Sequence, residues 1–163
     1  LNRLKWLLGL VLFQVLILNK MYFGGYVVPF IYIYFILKFH SRASRNELIL
    51  WGFLIGLVMD MFCNTPGINA AAVTCMAFFR TSFLKMVTLR DVDDDFEPGI
   101  RALGIPVFLR YIFLACALFC TCFFLVDTFS LSHWNVTFIK ILTSTLGSMI
   151  CVICMEILGG EKL

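Results

Sequence analysis

The stretch LILWGFLIGLVMDMFCNTPGINAAAVTCMAFF, residues 48–79, decides the fold, and its only charged side chain is Asp60. A hydrocarbon core about 30 Å thick takes about 20 helical residues to cross, so the stretch is too long for one span and slightly short for two. Asn64, Thr65, Pro66 and Gly67 supply a turn near its middle. The stretch therefore predicts a tight hairpin of two membrane helices over residues 46–63 and 68–87. Arg80 and Lys85 fall in the last turns of the second helix, where long cationic side chains snorkel to the surface.

The rest of the chain has the same character. Hydrophobic residues make up 61% of its 163 residues and charged ones 14%, against about half and about a quarter in a soluble domain. A chain this short exposes too much of its surface to hide that excess in an aqueous core, and lipid is the solvent that makes it sensible. Four further spans are predicted over residues 4–18, 21–38, 102–126 and 136–158. The first contains Gln14; the second contains Gly24, Gly25 and Pro29, tolerated where neighbouring helices satisfy the freed backbone. Arg110 lies in the fifth, and Lys140 and Glu156 lie near the two ends of the sixth. The expected fold is an all-α integral membrane protein, one compact bundle of six transmembrane helices across residues 1–163. Arg3 and Lys5 precede the first span as they would in a signal peptide, but no small-residue cleavage site follows, so a cleavable signal is not expected.

Basic residues orient the bundle. With the N-terminus inside, the inner segments and their flanks carry Arg3, Lys5, Lys38, Arg42, Arg45, Arg80, Lys85, Arg90, Arg101 and Lys162, and the outer loops only Lys20. The bias predicts a multi-pass protein of the inner membrane with both termini in the cytoplasm. The outer loops are a few residues each, so function is expected within the helices, on their flanks or in the inner loops. A net charge of +3 makes no case for a polyanion, and no nucleic-acid partner is expected.

Seven cysteines, Cys63, Cys75, Cys116, Cys120, Cys122, Cys151 and Cys154, lie in or beside apolar runs. Cys151 and Cys154 form a C-x-x-C, but mid-helix in an apolar span nothing stabilises a thiolate, and small packing residues are the expectation. His40 and His133 fall in loops on opposite sides of the membrane, so no zinc site, and no cofactor, is expected.

The strongest local signal is Gly52, Gly56 and Asp60, spaced four apart and therefore on one face of a helix. Glycines so placed let another backbone approach closely, for packing within the bundle or for binding a partner. A carboxylate in the hydrocarbon costs about 2.5–3.5 kcal/mol on insertion scales, so Asp60 needs partners. Asn64, Thr65, Asn69 and Lys140 lie at matching depth, and Pro66 and Gly67 shape the adjoining turn. Arg110 and Glu156, both toward the inner side, are a second candidate pair, and Gln14 is expected to bond across to a neighbouring helix.

The inner loop carries Asp91, Asp93, Asp94, Asp95 and Glu97. An EF-hand would place Gly where Phe96 stands and would need a distal Glu, and a magnesium–diphosphate site would need carboxylates at fixed helical spacing. A solvated loop, or a docking surface for a basic cytoplasmic partner, fits better. No nucleophile, histidine and carboxylate converge, so no enzyme is expected.

Gly52-x-x-x-Gly56-x-x-x-Asp60, then Pro66-Gly67-Ile68-Asn69-Ala70, then Ala77-Phe78-Phe79-Arg80, resembles the rod shape-determining protein MreD family. Gln14, Pro29, the length and the six-span hydropathy agree with that family over essentially the whole chain. The resemblance implies a non-catalytic inner-membrane subunit of the bacterial cell-elongation complex. It also implies MreC as partner and, through the complex, MreB and the RodA–transpeptidase pair that builds lateral peptidoglycan. It further implies a fold similar to the S-components of energy-coupling-factor transporters. A competing expectation is a small-molecule-binding membrane subunit of a transporter, with Asp60 near an outward cavity, although its outer loops are short. A lipid enzyme would require the acidic loop to bind metal.

Overall fold

A computed structural model describes residues 9, 12, 14, 29–88, 96–128 and 134–159. Along the chain come helices α1 (Ile33–Leu37), α2 (Arg45–Cys63), α3 (Ile68–Val87), α4 (Ile100–Leu103), α5 (Ile105–Asp127) and α6 (Trp134–Gly159), with no strand among the described residues. All of the first predicted span but Gly9, Leu12 and Gln14, and residues 21–28 of the second, lie outside the described residues, as do Asp91, Asp93, Asp94, Asp95 and His133.

Four helices, α2, α3, α5 and α6, are long and apolar enough to cross a membrane. At 1.5 Å per residue, α2 alone, with 19 residues, reaches about 28 Å, close to the thickness of a hydrocarbon core. Leu50, Phe62, Phe138, Leu146, Ile150 and Leu158 are all exposed on their outer faces. Water penalises apolar surface on that scale and lipid does not. The length, composition and exposed apolar faces of these four helices are those of a helical membrane protein.

Local chemistry sets the helix ends. Ser44 accepts a hydrogen bond from the Glu47 amide at 3.2 Å, and the pair has the Ser-x-x-Glu spacing of a capping box. Asn64 ends α2 in the left-handed conformation at φ 54°, which short polar side chains tolerate. Gly67 opens α3 at φ 82°, a value that would strain any residue with a Cβ. These two residues reverse the chain between α2 and α3.

Glycine then lets the two helices close. A Cβ on Gly56 would stand 2.7 Å from the Ala70 amide nitrogen and 2.9 Å from the Asn69 carbonyl oxygen, and one on Gly52 would stand 3.1 Å from Ala77 Cβ. The remaining spans follow in series, α3 against α5 and α5 against α6, with α1 touching α2 and α3. Phe30, Tyr32 and Phe119 fill the centre, the Phe30 and Phe119 rings lying edge to face at 4.8 Å.

Two predicted spans are broken. The residues 102–126 expected as one helix begin as the short α4, turn at Gly104 (φ 79°) and restart as α5. Pro106, at the second position of α5, has no N–H to donate and its ring would strike the carbonyl four residues back, so α4 cannot run on through it. Among the described residues of the second predicted span, Pro29, Phe30 and Ile31 are non-helical and Ile33–Leu37 is α-helix. Both breaks sit beside a proline.

Candidate functional site

Asp60 is buried at the last turn of α2, and both its oxygens are occupied. Oδ1 accepts from the Thr65 hydroxyl, from the Asn69 amide at 2.9 Å and from Asn69 Nδ2 at 3.0 Å; Oδ2 accepts from the Ala70 amide at 2.9 Å. Asn69 and Ala70 are the second and third residues of α3. Their N–H groups are among those that an α-helix cannot satisfy internally. The residue that would cap them, Gly67, has no side chain to do it, and Asp60 supplies the cap from the preceding helix. A carboxylate there also meets the positive end of the helix dipole. Tyr32 extends the cluster by donating to Asn69 Oδ1 at 2.7 Å.

A second cluster holds the broken segment. Residues 29–34 are all buried, and a non-helical backbone survives at membrane depth only if protein groups satisfy it. Gln14 does so with both ends of its amide: Nε2 donates to the Pro29 carbonyl at 2.8 Å and Oε1 accepts from the Ile31 amide at 2.7 Å. Ser148 of α6 accepts from the Phe30 amide at 3.1 Å. The break left by Pro29 is thus rejoined by two side chains.

Beyond α1 two charged residues anchor the chain. Arg80, fully buried on α3, donates to the carbonyls of Leu37, Phe39 and, at 3.4 Å, His40, while the Tyr111 hydroxyl adds a bond to Leu37 O at 3.2 Å. These carbonyls follow or end α1, where no helical N–H is left to pair them. Arg80 Nε has no partner. Glu156, buried on α6, takes Lys38 Nζ on both oxygens at 2.8 and 2.9 Å, the Tyr34 hydroxyl at 2.8 Å and the Ile100 amide at 3.2 Å. A Cβ on Gly99 would stand 2.9 Å from Lys38 Nζ and would collide with Glu156 Oε1, so this ion pair closes over a glycine.

The residues singled out in the sequence are distributed as follows. Gly52, Gly56 and Asp60 all face α3 within the chain. Asn64 and Pro66 are exposed in the turn. None of the hydrogen bonds of Asp60 involves Lys140, which is half-buried on α6. Arg110 and Glu156 do not pair: Arg110 is exposed on α5, while Glu156 turns to Lys38. Glu97 faces His40 at 3.6 Å. Cys116 and Cys120 are packed in the core, and Cys75 and Cys122 meet across α3 and α5 at 3.4 Å.

Sequence reasoning missed Tyr32, Tyr34, Lys38, Tyr111, Ser148 and the role of Arg80. One signal was available on α6. Its buried stripe is Thr137, Ser144, Thr145, Ser148, Val152 and Glu156, while Ile139, Leu142, Leu146, Ile150 and Ile157 are exposed. A helix with its polar residues inward and its apolar residues outward is built to serve other backbone. Chemically, the arrangement is a set of fixed donors and acceptors, most of them matched to main chain.

The chain matches no protein-family model, no curated protein and no solved structure.

Proposed function

We propose that this chain is a non-catalytic scaffold subunit of the bacterial cell-elongation machinery, an MreD-type inner-membrane protein with both termini in the cytoplasm. In this reading it binds MreC and, through the complex, MreB and the RodA–transpeptidase pair. The carrying observation is that Gly52, Gly56, Asp60, Asn69 and Ala70, which hold part of the motif resemblance, form with Thr65 one structural unit whose polar groups bond to each other. A motif used up in this way serves shape, and shape is what a scaffold offers. The apolar outer faces of α2, α3 and α6 then meet a partner's membrane anchor.

Depletion in the source bacterium, combined with affinity purification of the tagged chain, tests the reading. The expected result is rounded cells and co-purifying MreC. Normal rods, or co-purification of an ABC-type ATPase, would overturn it in favour of a transporter subunit.

A further inference from the structure

A groove of about 590 Å³ runs along the outer side of the α2–α3 hairpin, walled by Ile49, Phe53 and Leu57 on α2 and by Ala71, Cys75 and Phe78 among others on α3. Ile49, Phe53 and Leu57 are spaced four apart, one stripe of a helix. One turn before them on the same stripe stands Arg45, the first residue of α2. Its guanidinium lies over the Phe78 ring, 4.9 Å from the centroid, so a wall residue of the groove holds the cation in place. Glu47, the acidic residue of that first turn, is exposed and lies off this stripe.

We propose that this groove holds one acyl chain of an anionic phospholipid, with the headgroup phosphate at Arg45. Length, apolar lining and a cation at one end select the occupant. From Gly67 to Phe79 the α3 wall rises about 18 Å at 1.5 Å per residue, and one leaflet of a hydrocarbon core is about 15 Å deep. The groove lies between the two helices, with α2 as one wall and α3 as the other, so an alkyl chain can lie along it in contact with both. The lining is almost wholly apolar, and the cation stands at the one end where a headgroup belongs. Arginine suits the task because its planar fork binds two phosphate oxygens together.

Native mass spectrometry of the full chain, released from nanodiscs of phosphatidylglycerol and phosphatidylcholine in equal amounts, tests the proposal. The expected result is one retained phosphatidylglycerol per chain, favoured at least tenfold over phosphatidylcholine. Arg45→Gln abolishes the preference, and Ala71→Phe, which fills the groove, abolishes retention of either lipid. Arg110→Gln, the same charge change on exposed α5, leaves both unchanged. Helical circular dichroism and thermal midpoint, measured on each variant, confirm folding; for a variant that fails to fold, competition by soluble glycerol phosphate on the wild-type chain replaces it and must reduce retention. Equal retention of both lipids by the wild type, or an unchanged preference in folded Arg45→Gln, overturns the proposal. So does a dimer lost in Ala71→Phe, which would assign the groove to a second copy of the chain.

Discussion

The α2–α3 hairpin and the segment Pro29 to Ser41 solve the same problem by opposite routes. Each has backbone groups at membrane depth without a helical partner. In the hairpin, Asp60 reaches N–H groups only nine and ten residues further along the chain. In the segment, backbone help comes from Gln14, from Arg80, 40 to 43 residues away, and from Ser148, 118 residues from the amide it binds, while Glu156 holds the Lys38 and Tyr34 side chains. The hairpin therefore closes from local sequence, whereas the segment holds only when the other helices are in place. This difference sorts the effects expected of mutation.

The largest effect falls on the segment. Glu156→Leu strands the Lys38 ammonium in a nearly dry site, and removing one member of a buried pair costs about 3–5 kcal/mol. Unfolding in mixed micelles should show that loss, and the double change Lys38→Met with Glu156→Leu should restore most of it. A double variant as unstable as Glu156→Leu alone would show that the ion pair is not the anchor.

Next come two changes of similar size in the two regions. Gly56→Leu forces a side chain into the Ala70 backbone, and overpacking costs about 1–3 kcal/mol. Gln14→Leu leaves the Pro29 carbonyl and the Ile31 amide without partners, each orphaned group costing about 1–3 kcal/mol. Hydrogen exchange separates them: Gly56→Leu should speed exchange at Asn69 and Ala70, and Gln14→Leu at Ile31. Uniform acceleration in both variants would erase the distinction between the regions.

A smaller effect is expected at the cap itself. Asp60→Asn keeps one acceptor but turns an amide donor toward the α3 N–H groups, and loss of an N-cap costs about 1 kcal/mol. Exchange should rise at Asn69 and Ala70 with the rest of the bundle unchanged, and global unfolding would count against a local role. The smallest effect is geometric. In a variant retaining only Cys75 and Cys122, a thiol oxidant should cross-link α3 to α5, because the sulfurs stand 3.4 Å apart. Absence of that cross-link would deny the packing on which both regions depend.

How far the sequence could be read follows from the same contrast. Gly52, Gly56, Asp60, Asn64 and Gly67 lie within sixteen residues, and each acts on a neighbour that spacing alone identifies. Hence the turn, the shared face and Thr65 and Asn69 as partners of Asp60 were legible. The pairing of Glu156 was not. Matching Arg110 to Glu156 by depth ignored which way each helix is turned, and on α5 Arg110 faces the exterior. Pro29 announced a defect in the second span, but not that the defect would be buried and mended by Gln14 and Ser148. Pro106 could have announced the restart at α5, since its effect on the carbonyl four residues back is local, but the span was expected unbroken over residues 102–126.

By itself, the sequence determined that the chain is helical and belongs in a membrane, that residues 64–67 reverse it, and that a glycine stripe brings α2 and α3 together. Composition and helical periodicity act within a few turns of chain, and both are written in it. Tertiary structure alone decided that Arg80 caps α1, that Lys38 meets Glu156, and that Ser148 of α6 satisfies the non-helical backbone after Pro29. Those bonds depend on how each helix is rotated about its axis, which the packing of the whole bundle sets. In a hydrocarbon solvent no water stands in for a missing partner, so that packing must satisfy the distant backbone too.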